Sequence, residues 1–154
     1  MWEPLQRYRA LDAEARRLFR RASVLFPLIG ISLRLRGYKA TQDWLQRRTA
    51  PQSSASANTS EQQKVEKTCR MVRAAQFYVP LRSTCLEQSL TLWYLLERQG
   101  IRAQVRIGVR KDAEKFEAHA WVEYNGVALN QPEEMHQHYS AFDSEFAKPP
   151  TERP

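Results

Sequence analysis

An α+β fold, with a helical N-terminal region ahead of one central helix set against a small antiparallel sheet, is predicted by three observations. Apolar residues recur at helical spacing in the first part of the chain, the period switches to alternation after Gly100, and an Asn125-Gly126 pair marks a hairpin. At 154 residues and 42% hydrophobic content, the chain can bury one modest core. Its five glycines leave few places for a phosphate-cradling loop and none is visible, so neither ATP nor any other cofactor is expected.

Residues 1–48 read as a basic amphipathic helical region. They hold eleven Lys or Arg against four Asp or Glu, a surplus equal to the whole formal charge of +7. Arg16, Arg17, Arg20, Arg21, Arg34, Arg36, Arg47 and Arg48 interleave with Leu18, Phe19, Leu25, Phe26, Leu28, Ile29, Leu33 and Leu35, as in amphipathic helices broken near Pro27. Helices packed on the domain with solvated arginines would show this pattern; docking onto an acidic partner or precursor surface, or onto a membrane surface, are the functional alternatives. No nucleic-acid partner is expected, since no DNA- or RNA-binding motif accompanies the arginines. The apolar run from Ala22 to Leu33 is too short to span a bilayer and lacks a cleavage site, so no transmembrane segment or signal peptide is expected, and the default localisation is cytoplasmic.

Thr49 to Ser60 is small and polar, and residues 49–62 are expected to form a flexible linker. The core of the domain is expected at residues 63–146 and a disordered tail at 147–154. Within the core, Thr84 and Glu87 form a capping box ahead of Leu86, Leu90, Trp93 and Leu96, with Gly100 suited to a left-handed C-terminal cap. Cys85 is then the first helical residue. There unpaired backbone N–H groups, the positive end of the macrodipole and Arg82 favour a thiolate, the form in which cysteine is a nucleophile. Cys69, in the middle of a helix with no cap beside it, reads as structural, and two cysteines are no disulfide framework.

Ile101, Ala103, Val105, Ile107 and Val109 alternate with Arg102, Gln104, Arg106, Gly108 and Arg110 as in a strand with one buried and one basic face. After a polar connection at 111–115, Phe116, Ala118, Ala120, Val122 and Tyr124 alternate with Glu117, His119, Trp121 and Glu123. His119 therefore lies on a strand beside Trp121. Val127 to Gln131 returns antiparallel until Pro132 ends the pairing. Cysteine on a helix, then histidine on a strand, then an orienting side chain on the next strand suits thiol acyl transfer, with Cys85 and His119 as the reactive pair. A three-residue turn at 124–126 would put Gln131 across from His119, whereas a two-residue turn would put Asn130 opposite Trp121 on the His119 face. Glu117 and Glu123 share that face and are further candidates for a carboxylate. His136 and His138 lack partners at ligand spacing, and no metal is expected.

Thr84 to Trp93, Gly100-Ile101, Ile107 to Lys111, Phe116 to Glu123 and Leu129-Asn130 together resemble the leader peptidase of lasso-peptide biosynthesis, as a stand-alone chain. That family belongs to the transglutaminase-like, papain-related superfamily, and the likeness is strongest over residues 64–143. The resemblance implies a transglutaminase-like cysteine peptidase fold and removal of the leader from a ribosomally made precursor peptide. Twelve residues after the histidine, where the family pattern has an aspartate, this chain has Gln131. Related thiol proteases orient histidine with an amide, and a slow or partner-dependent enzyme fits the substitution. The partners implied are the precursor leader, a separate leader-recognition protein and an ATP-dependent macrolactam synthetase. A transglutaminase-like acyl transferase and a non-catalytic precursor-binding module are the alternatives.

Overall fold

In the computed structural model, residues 8–49, 59–79, 83–112, 115–129 and 140–141 are described. Asp12 opens the first long helix, α1 (Ala13–Gln46), by accepting a 2.6 Å hydrogen bond from the Ala15 N–H. The helix runs through Pro27, where a break is expected, and is interrupted at Gly37 instead (φ 78°, ψ 178°). A proline removes one N–H donor, and here Phe26 and Ile29 are buried on either side of it and hold the helix to the core. At Gly37 the backbone takes a positive φ that glycine alone adopts freely. Thr41 secures the kink, donating to the Gly37 carbonyl (2.8 Å) and sharing a 2.9 Å bond with Ser32. The second leg then returns Leu45 to the core.

Two further helices, α2 (Thr59–Tyr78) and α3 (Cys85–Glu97), pack against α1 and against each other. Ala22, Phe26, Ile29 and Leu45 of α1 join Val65, Val72 and Ala75 of α2 and Leu90, Leu92 and Leu96 of α3 in one apolar cluster. The basic N-terminal segment is thus part of the same core as the rest of the chain. Because α2 begins at Thr59, residues 59–62 are helical and the expected boundary at 62/63 falls inside an element; residues 50–58 and 142–154 lie outside the described ones. Lys67 ties α2 to the start of α1 through Asp12 (3.1 Å) and Glu14 (2.7 Å), and Gln99 Nε2 donates to Thr68 Oγ1 (2.9 Å). Among the described residues, no helix is long and apolar enough to cross a membrane.

The sheet consists of β1 (Gln104–Asp112), β2 (Lys115–Tyr124), β3 (Val127–Ala128) and β4 (Ser140–Ala141) in the order β3-β2-β1-β4, every neighbouring pair antiparallel. β1 and β2 continue into the expected polar connection and pair as far as Asp112 and Lys115. Ladder hydrogen bonds use backbone groups, so charged side chains do not stop them. Glu123 pairs with Ala128 and Tyr124 with Val127, so the β2–β3 turn has two residues, Asn125 (φ 50°) and Gly126 (φ 78°). Positive φ at both positions is the type I′ signature that matches strand twist. β4 was not foreseen from the alternation; two paired residues are too short for a periodic signal. Helix α3 lies on β2 and β1, with Val122 fully buried in the helical cluster, and Tyr124 donates to Glu61 at the start of α2 (2.8 Å).

Candidate active site

The expected capping box is present in full. Thr84 Oγ1 accepts from the Glu87 N–H (3.2 Å), and Glu87 Oε2 accepts from the Thr84 N–H (2.9 Å). Cys85 follows as the first residue of α3, half-buried and outside any disulfide. At the other end Gly100 adopts φ 77° and the Ile101 N–H bonds back to the Leu96 carbonyl (3.0 Å), closing the helix as the sequence predicts. The cap uses the N–H groups of Thr84 and Glu87, so those of Cys85 and Leu86 remain at the positive end of the helix dipole.

One feature of this seat is not visible in any local motif. Glu87 is buried, and a Cβ placed on Gly30 of α1 would lie 2.9 Å from Glu87 Oε1. The absent side chain at Gly30 lets α1 close over the capping carboxylate. The helix start that carries Cys85 is therefore clamped from a segment more than fifty residues upstream.

His119 lies on β2, paired with Gly108 of β1, and its half-buried ring stacks on Trp121 with centroids 6.1 Å apart and planes at 18°. Strand alternation puts His119, Trp121 and Glu123 on one face and Ala120 and Val122 on the other. Trp121 is buried, and its Nε1–H donates to Glu123 Oε1 (3.0 Å). Glu123 Oε2 receives Arg106 Nε at 3.0 Å, and Arg106 pairs with Trp121 across the ladder. Each oxygen of Glu123 thus has a partner in Arg106 or Trp121, which fits Glu123 for holding Trp121. The ladder register places Arg106 in this chain, a contact that becomes readable once β1 and β2 are paired.

The helix that begins at Cys85 packs on β2, the strand of His119, with Val122 in the shared apolar cluster and His119 alternating to the other strand face. The observed hairpin is the two-residue form, so the three-residue alternative that would set Gln131 across from His119 does not occur in the described turn. Asn130 and Gln131 themselves lie outside the described residues, as do Arg82, His136 and His138. Glu117 is exposed on the His119 face. Cys69 sits within α2, where burial pushes its thiol up to about 11 even though Arg73 pulls the other way. It remains a neutral thiol, in keeping with a structural role.

A cysteine at the start of a helix that packs on the strand bearing a histidine is an arrangement compatible with thiol-dependent acyl chemistry. The profile of the transglutaminase-like superfamily matches residues 28–142, and the chain belongs to that superfamily. The matched segment begins within α1 and reaches just past β4, so it takes in part of the basic helix as well as the helix and sheet of the site. The superfamily commonly holds cysteine peptidases and acyl transferases. No curated protein and no solved structure matches the chain.

Proposed function

We propose that the protein is a cysteine peptidase that removes the leader from a ribosomally made lasso-peptide precursor, acting with a separate leader-recognition protein. The observation that carries this reading is the fully formed capping box that seats Cys85 as the first residue of a buried helix packed on the strand of His119. Cys85 attacks the carbonyl of the last leader residue, and the N–H groups of Cys85 and Leu86 stabilise the oxyanion that forms. His119 takes the thiol proton and returns it to the departing amine as the peptide C–N bond breaks, leaving an acyl-thioester that water hydrolyses. Trp121, held by Glu123, sets the plane of the imidazole. The freed amine of the core peptide is the nucleophile that a macrolactam synthetase requires.

The superfamily and the order of thiol and imidazole support acyl chemistry; the blocks from Thr84 to Asn130 support the leader-peptidase assignment. The test is incubation of the protein with a lasso-type precursor and its recognition protein, followed by mass spectrometry, with Cys85→Ala alongside. Leader and core masses appearing with the wild type alone support the peptidase. A core or leader carrying an added amine points to acyl transfer, and an intact precursor bound by correctly folded protein points to a binding module.

A further inference from the structure

Helix α1 has two apolar faces. One carries Ala15, Leu18, Ala22, Phe26 and Ile29 into the core. On the opposite side, Val24, Leu28, Ile31 and Leu35 follow one another at spacings of four, three and four residues and are 59%, 47%, 53% and 79% exposed. Continued one and two turns toward the N-terminus, the same stripe becomes Arg17, Arg20 and Arg21. Between these arginines and the last turns of α3 lies an open cavity of about 480 Å³, floored by Leu25 and Leu95 and edged by Tyr94 and Arg98. Arg98 is fixed there by donating from Nη1 to the Arg48 carbonyl (3.2 Å). Among the described residues, no carboxylate lines this cavity and none forms an ion pair with its four arginines. Burial, followed by the charges of Arg17 and Arg98, holds the Arg21 guanidinium below its usual range. Among the described residues, the cations are thus crowded together without a counter-charge.

We infer that this face of α1 is a docking surface for an acidic amphipathic helix of a partner protein, with its apolar residues on the Val24–Leu28–Ile31–Leu35 stripe and its carboxylates in the Arg17–Arg20–Arg21–Arg98 cavity. The stripe from Arg17 to Leu35 is about 27 Å long, enough for five turns of a partner helix laid along it. Charge complementarity selects an acidic partner, because four arginines with no carboxylate beside them among the described residues repel one another until carboxylates enter. The open pocket at the arginine end accepts protruding carboxylate side chains, which favours a protein helix over a lipid surface. The surface stands apart from the peptidase reading, since it uses the C-terminal turns of α3 and Cys85 lies at the other end.

The experiment uses the full chain and labelled helical peptides of about 18 residues that carry leucines at the stripe's spacing. Glutamates are placed at one end or the other, and each peptide has a glutamine twin; binding is read by fluorescence anisotropy at low and high salt. Vesicles of phosphatidylglycerol and of phosphatidylcholine are tested by co-sedimentation. One glutamate peptide is expected to bind about tenfold or more tightly than its glutamine twin, with the difference shrinking at high salt. Arg17→Glu/Arg20→Glu and, separately, Leu28→Gln/Leu35→Gln are each expected to weaken it about tenfold with circular dichroism unchanged, all four positions being exposed. Equal binding of the two peptide types, no binding of either, or binding to anionic vesicles without peptide binding would overturn the inference.

Discussion

Cys69 and Cys85 are both half-buried thiols on helices packed around the same core, and their backbone surroundings differ because of where each sits along its helix. Cys69 lies mid-helix, where the backbone N–H groups around it belong to the helical ladder, and burial raises its thiol to about 11. Cys85 occupies the first helical position, beside N–H groups that the helix itself cannot satisfy. The difference teaches that the setting of a thiol is specified by the backbone around it as much as by its side chain.

The sharpest way to break the comparison is to remove each thiol in turn. Cys85→Ala is expected to lower leader release by roughly 10³-fold or more, while Cys69→Ala leaves it within about twofold; the measurement is the rate of core-peptide formation by mass spectrometry. Equal losses would mean that the two seats are not functionally distinct. His119→Gln comes next, with an expected loss of about 10²- to 10⁴-fold in the same assay, since it removes the proton carrier and keeps a polar side chain of similar reach.

Alkylation sharpens the contrast without any substrate. The raised Cys69 thiol stays protonated through the physiological range, and its iodoacetamide labelling should rise only as the pH approaches about 11. Against an ordinary thiol of value 9.0, that shift lowers the thiolate fraction near neutral pH by roughly a hundredfold. Peptide mapping after a short exposure at neutral pH should find the label on Cys85. Predominant labelling of Cys69 would sink the assignment of seats.

A smaller effect is expected from the clamp on the helix start. Gly30→Ala would bring a methyl to 2.9 Å from Glu87 Oε1 and should destabilise the fold by about 1–3 kcal/mol in urea denaturation. In a Glu87→Ala background, which itself loses about 1 kcal/mol with the capping box, the same change should cost much less. Additive losses would show that Gly30 does not act through Glu87. Smallest of all, Glu123→Gln should slow leader release a few-fold and alter its pH profile, because Arg106 and Trp121 lose the charged anchor between them.

Much of the site was legible because its signals are local. The Thr84–Glu87 box, the left-handed Gly100 and the strand through His119 each depend on residues a few positions apart, and all appear as predicted, although Ala118 is exposed and Trp121 buried where simple alternation gives the reverse. Pro27 misled because proline's local cost was weighed without the burial on either side of it, whereas Gly37 was free to take the positive φ at which α1 is interrupted. The turn at Asn125-Gly126 was recognisable, but its two-residue form emerged only from the observed ladder register. Glu123, with Glu117, was one candidate for a carboxylate on the His119 face; strand pairing brings Arg106 beside it and the tryptophan indole donates to its other oxygen.

The sequence by itself determined the order of α3, β1 and β2, the first helical position of Cys85 and the strand position of His119, because capping and alternation are written in neighbouring residues. Tertiary structure alone decided that the basic helix joins the core, that Gly30 seats the capping carboxylate and that one face of α1 remains uncovered. Those outcomes depend on which surfaces meet across long stretches of chain, and no local pattern encodes the meeting of surfaces.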